Sequence, residues 1–300
     1  MACIGAIEAG GTKFVCGIGD EKGEIRESVS FPTTSPDVTL GKAIAFFRGK
    51  GVEAIGIGSF GPIDLRPGSP TYGHVTTTPK PGWGNCDFLG TLREVFDVPY
   101  GWDTDVNAAA LGEVRWGAAR GLNSCLYYTI GTGVGIGVYT EGKLVHGLVH
   151  PEGGHTPVRR HPDDDFAGLC PFHGDCLEGM AAGPALEARW RIKGHELPAD
   201  HPAWEIEAFY IAQSITGAVL LNSPEKVILG GGVMQQSQLF PLVRAAVKRN
   251  LNGYVSAGEL LERIDDYIVP PGLGPQAGLY GALALGLDAL QARHKAASSA

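Results

Sequence analysis

Three glycine clusters, each at the end of an apolar run, limit what this chain can become: Gly10-Gly11-Thr12-Lys13, Gly131-Thr132-Gly133 and Gly230-Gly231-Gly232. A turn without Cβ atoms at a strand end lets its backbone N–H groups face an anion at close range. The same residues also suit plain hairpin closure. Three such turns, two of them carrying the hydroxyls of Thr12, Thr129 and Thr132, weight the reading toward phosphate. The chain holds 45 glycines in 300 residues, about twice ordinary usage, with no collagen-like period.

The pattern around these turns reads as mixed α/β. Residues 2–8 and 13–19 predict a hairpin, and alternation over 24–31 predicts a third antiparallel strand. A helix over 37–49 leads to a buried strand at 53–58. Residues 124–130 and 134–140 repeat the hairpin, helices are predicted at 183–193, 203–222 and 237–250 with a strand at 226–231, and a terminal helix covers 276–292. The Gly-, Pro- and Thr-rich stretch 59–87 predicts a long ordered loop. The repeated hairpin-plus-helix unit suggests two lobes.

Composition narrows the function classes. Hydrophobic residues make up 44%, enough for a substantial core, and Lys+Arg 24 against Asp+Glu 32 gives a net charge of -8 without a basic run. Nucleic acid is therefore not an expected partner. No stretch of 18 apolar residues occurs, and the opening MACIGAIEAGG has no secretory pattern, so a soluble, cytoplasmic chain without a membrane partner is expected. P-loop, nucleophile-elbow and His-Glu-x-x-His patterns are missing, and the glycines at 131, 133, 135 and 137 do not satisfy the Rossmann fingerprint. Cys3, Cys16, Cys86 and Cys125 are isolated and read as inert core thiols.

The most specific spacing is His155, fourteen intervening residues, then Cys170-Pro-Phe-His173-Gly-Asp-Cys176. A Cys₂His₂ set suits tetrahedral Zn²⁺ and leaves no position for a catalytic water, so a structural metal is expected. A 170–176 disulfide and two unrelated thiols are the alternatives. Glu152 stands just before this set and Glu178 just after it, so a metal would fix two carboxylates, as polyol recognition requires. Either could instead be a surface carboxylate. Asp103-Thr104-Asp105-Val106-Asn107 opens a helix, which suits an N-cap or a general base with positioning neighbours. Spacing does not say which aspartate does which.

Together these motifs resemble the ROK family of sugar kinases, and more narrowly its bacterial fructokinase branch, over essentially the whole chain. Glu8–Lys13 is similar to the family's first phosphate loop, Thr129–Gly137 to its second, Leu229–Val233 to its adenosine-side loop, and Glu152-Gly-Gly-His155 to its substrate and metal signature. The resemblance implies an actin-like ATPase (ribonuclease H-like) α/β fold, two lobes with ATP and sugar in a central cleft. Residues 1–113 with 275–300 would form the N-terminal lobe, and 114–274 the C-terminal lobe with a zinc-binding insertion at 155–176. It also implies Asp105 as catalytic base, with Asn107, Glu152, His155 and Glu178 on the sugar. ATP would lie on Gly10, Gly11, Thr12, Lys13, Gly131, Thr132, Gly133, Gly230, Gly231 and Gly232, with Mg²⁺ as its cation. His155, Cys170, His173 and Cys176 would ligate structural Zn²⁺, and the assembly would be a homodimer.

Glucokinases of the family usually show Asp where this chain has Glu8, and C-x-C-x₄-C where it has C-x₂-H-x₂-C. Those departures, with Thr78-Pro-Lys-Pro-Gly-Trp83, are similar to the fructokinase branch and imply D-fructose as the hexose phosphorylated. Thr104 stands where many relatives carry Asn. Mannose, glucose and N-acetylhexosamines are the alternative substrates. Sugar-responsive repressors of the family carry a helix-turn-helix ahead of the first loop, which here begins at residue 8, so a regulator is less expected.

Overall fold

The computed structural model describes residues 2–298. They divide into two compact units. The first comprises the chain up to Gly121, Leu144–Pro151 and the chain from Gln276; the second comprises Leu122–Lys143 and Glu152–Pro275. The expected break at 113/114 falls inside the helix Asp105–Trp116, so the helix stays whole and the division comes after it. Residues 144–151, expected in the C-terminal lobe, cluster with the first unit.

In the first unit β1 (Ile4–Ala9), β2 (Lys13–Gly19), β3 (Ile25–Pro32), β4 (Ala54–Ser59) and β7 (Tyr100–Thr104) form one sheet in the order β3-β2-β1-β4-β7. The hairpin register pairs Ala9 with Phe14 across the first glycine turn, and β4 and β7 add in parallel. Side-chain alternation sends successive residues of β1 to opposite faces. Ile4 and Ala6 pack against Leu279, Leu283 and Leu287 of the terminal helix Ala277–Ser298, while Ile7 and Ala9 join Phe14, Leu40, Phe47, Trp83 and Phe88. Both faces are therefore covered, which explains why β1 and β4 read as apolar runs rather than alternating ones. The terminal helix approaches Asp105–Trp116 very closely: a Cβ at Gly281 would lie 1.8 Å from the Ala108 carbonyl oxygen. That helix runs to Ser298, past the expected 292.

The 59–87 stretch is ordered, as expected, and includes a small antiparallel pair, β5 (His74–Val75) and β6 (Cys86–Asp87). Buried Asp64 organises it, accepting from Arg66, Ser69 and Thr71. These donors, the Arg66 guanidinium foremost, hold its carboxyl well below the ordinary carboxylate range.

The second unit repeats the sheet. With β8 (Cys125–Ile130), β9 (Val134–Thr140), β10 (Lys143–Leu144), β11 (Val227–Gly230) and β12 (Ile268–Val269), its order is β10-β9-β8-β11-β12. A hairpin leads into two parallel strands, as in the first unit. Helices Ala203–Asn222 and Leu239–Leu251 pack together; the latter buries Leu239, Phe240, Val243, Ala246, Val247 and Leu251 at helical spacing. The helix expected at 183–193 ends at Trp190, where Arg191 turns left-handed with φ 59°. Among the described residues no helix is long and apolar enough to cross a membrane.

Candidate functional site

The end of β7 and the start of the following helix separate the two aspartates that spacing left equivalent. The N-cap is Thr104, whose hydroxyl accepts the Asn107 N–H at 3.2 Å; neither aspartate takes that role. Asp103 is 2% exposed. Its Oδ1 accepts from the Thr104 N–H at 2.8 Å and the Asn107 amide at 2.9 Å, and its Oδ2 from His146 Nε2 at 2.7 Å. Three donors engage both oxygens, which leaves this carboxylate a structural anchor. Asp105, the first helical residue, is only partly buried, with Oδ1 accepting its neighbour's N–H at 2.9 Å. Asn107 is fully buried; it supports Asp103 and does not face solvent, although a sugar contact is expected of it.

In the same unit the first glycine turn closes through Gly10 N–H to the Lys13 carbonyl at 3.0 Å, and Thr33 ties it down by donating to the Gly10 carbonyl at 2.7 Å. Gly11, Thr12 and Lys13 are exposed, as a ligand-facing turn requires. Lys80 from the Thr78–Trp83 stretch sets its ammonium on the Gly11 carbonyl at 2.5 Å, while Trp83 is fully buried and donates to Thr34. The Glu8 carboxyl lies against Gly278 of the terminal helix, and burial pushes it up against the opposing charge of Lys13.

The second unit assembles the predicted metal quartet. One ligand atom from each of His155, Cys170, His173 and Cys176 lies within 4.8 Å of all the others. His155 Nδ1 is 3.6 Å from both Cys170 and Cys176 Sγ, and His173 Nδ1 is 3.6 Å from Cys170 Sγ. Metal–sulfur and metal–nitrogen bonds of about 2.3 and 2.05 Å at a tetrahedral angle place S and N about 3.6 Å apart, so the donor set fits Zn²⁺. Both cysteines are free thiols, which removes the disulfide alternative. The other ring nitrogen of His155 faces Glu178 Oε1 at 3.9 Å, an arrangement by which a carboxylate orients a ligating imidazole.

Glu178 also reaches the second glycine turn, accepting the Val134 N–H at 3.0 Å. Glu152 lies before the short 3₁₀ turn Gly153–His155, exposed at the surface. Partial desolvation and the nearby Glu178 push its carboxyl up, opposed by His155. Thr132 is exposed between Gly131 and Gly133, and Gly131 faces the third cluster, with the Gly232 nitrogen 3.6 Å from where its Cβ would be. Gly231 has φ +91° and abuts the Ile130 backbone, so only glycine suits it.

Within the first unit, then, the fold joins Asp105 and Asn107 at one helix start and arranges residues 10–13 as a turn. Within the second it joins Glu178 and the metal quartet to the 131–133 turn, with 230–232 beside that turn. Reading by sequence missed Asp103's hydrogen-bonding role and the histidines at 146 and 150, and singled out the stretch that holds Lys80 without the lysine's contact to Gly11. The paired histidines in His146-Gly-Leu-Val-His150 were the available signal, but nothing local says what they meet.

Comparison with known proteins finds relatives that match almost the whole chain. A fructokinase of Pediococcus pentosaceus is 49% identical over 288 residues, covering 96% of this chain and 99% of that one. A fructokinase of Zymomonas mobilis subsp. mobilis is 44% identical over 294 residues, covering 95% and 96%. The crystal structure of a ROK family glucokinase from Streptomyces griseus, in complex with glucose and AMPPNP, superposes with a TM-score of 0.75 at 25% identity, covering 96% of this chain and all of that one. The fold is the actin-like one that the resemblance implied. The model of the ROK family matches residues 4–289, and the chain belongs to that family.

Proposed function

We propose that the protein transfers the γ-phosphoryl group of ATP to the 6-hydroxyl of D-fructose. The observation that carries this reading is the identity of nearly half to fructokinases over almost the full chain, joined to a partly exposed aspartate at a helix start beside a fully engaged one. Asp105 accepts the proton of the attacking hydroxyl as the new oxygen–phosphorus bond forms and the bond to ADP breaks. The N–H groups of the turns at 10–13 and 131–133 hold the phosphates, the turn at 230–232 lies on the adenosine side of ATP, and Mg²⁺ bound with the nucleotide would offset the phosphate charge. Glu152, His155 and Glu178 contact the sugar. His155, Cys170, His173 and Cys176 would hold a structural Zn²⁺, which would keep the Gly153–His155 turn and Glu178 in register. A cytoplasmic homodimer completes the reading and rests on the family resemblance alone; sedimentation analysis tests the dimer.

The test is ADP release measured with fructose, mannose, glucose, N-acetylglucosamine and N-acetylmannosamine. Fructose should give the highest kcat/KM. A higher value for another sugar would replace the substrate, and no sugar-dependent ADP release would overturn the kinase reading.

A further inference from the structure

The segment Leu144–Pro151 leaves the second unit after Lys143 and clusters with the first. Its tip is apolar and exposed, Leu148 at 85% and Val149 at 56%, and the Gly147 N–H donates to the Val149 carbonyl to turn it. The two histidines flanking that tip point into the first unit. His146 Nε2 donates to Asp103 Oδ2 at 2.7 Å, across 43 residues of sequence. His150 is 5% exposed, with Nδ1 3.5 Å from the Thr104 hydroxyl, the oxygen that caps the helix. Burial pushes the His150 imidazole down to about 4, so it is neutral near pH 7, whereas the hydrogen bond to Asp103 pushes His146 up. The neutral ring sits on the cap hydroxyl, and the ring that can carry charge sits on the carboxylate.

Asp103 thus takes one donor from its own chain turn, one from the first turn of the helix and one from this strap. Without the third, a buried oxygen of a charged group would lose its partner, and the group would move toward another donor or toward water. Asp103 and Thr104 are the two residues immediately ahead of Asp105, so such a movement would carry Asp105 with it.

We propose that His146 and His150 are positioning residues, and that their docking on Asp103 and Thr104 fixes the helix start that aims the Asp105 carboxylate. This rests on the assignment of Asp105 as the base. Displacing a reacting group by about 1 Å costs on the order of 100-fold in rate, so the effect belongs in kcat rather than in nucleotide binding.

The experiment compares His146→Leu, His146→Gln and Asp105→Asn with the unaltered protein, measuring kcat and both KM values. His146→Leu should lower kcat 10- to 100-fold with the KM for ATP within about twofold. His146→Gln, whose amide still donates, should recover most of it; a structural loss alone would not give that split and rescue. His146 is half-exposed, and should the leucine variant fail to fold, His146→Asn, too short to reach Asp103, replaces it. A kcat within twofold of the unaltered protein, or equal loss in the leucine and glutamine variants, would overturn the inference. If Asp105→Asn is inactive while His146→Leu is normal, only this inference falls. If Asp105→Asn is itself active, the assignment of the base falls and takes the inference with it.

Discussion

The Glu178 carboxylate accepts the backbone N–H of Val134 at 3.0 Å, tying the helix that follows Cys176 to the second glycine turn. A Cβ on Gly133 would stand 2.7 Å from Glu178 Oε2, and only atoms of that side chain lie within 4 Å of it. Gly133→Ala should therefore spare the fold and displace the carboxylate. The expected outcome is a melting temperature within about 2 °C of the parent and a kcat/KM for sugar roughly tenfold lower, the cost of one misplaced charge-assisted hydrogen bond. Unchanged kcat/KM would show that the position of Glu178 does not matter to the sugar.

Asp103 and Asp105 should respond oppositely to amidation. Asp105→Asn is expected to lower kcat by about 10² to 10⁴ with near-normal nucleotide affinity and melting. Asp103→Asn replaces a buried acceptor of three hydrogen bonds by a group that is half donor, and should cost about 2 kcal/mol of stability. Calorimetry with steady-state kinetics separates the two. A tenth of parental kcat in Asp105→Asn, with the larger loss in Asp103→Asn at unchanged stability, would exchange their roles.

Protein purified without added zinc should contain about one Zn per chain by elemental analysis. Dialysis against a chelator should lower the melting temperature, and Cys176→Ser should prevent reloading. Sugar binding should weaken in step, since Glu178 and His155 share the loaded region. Metal-free protein with parental melting would remove the structural role.

Glu207 is fully buried, and neither carboxylate oxygen has a hydrogen-bond partner. Burial raises its pKa well above the ordinary value; Arg189 opposes the rise and Asp164 adds to it. A carboxyl whose folded pKa lies above its unfolded one stabilises fully below the unfolded pKa, near 4.3, and loses that contribution as pH rises through the folded pKa. Glu207→Gln leaves no charge to bury. Its stability advantage over the parent should grow as pH rises above about 4.3, read from denaturant midpoints at each pH. Parallel pH profiles would contradict it.

What the sequence determined by itself was local. A glycine turn between two apolar runs specifies a hairpin because turn and register are set by neighbours, and both hairpins formed where the pattern placed them. The histidine and cysteine quartet was legible for a related reason: three of its ligands lie within seven residues, and ligand chemistry limits what such a group can hold. The tertiary structure decided the common strand order of the two sheets, the burial of Asn107 and the different surroundings of Asp103 and Asp105. Each depends on a partner distant in the chain, as when His146 reaches Asp103. Burial and hydrogen-bond saturation are properties of a packed neighbourhood, and no spacing within a five-residue motif encodes them.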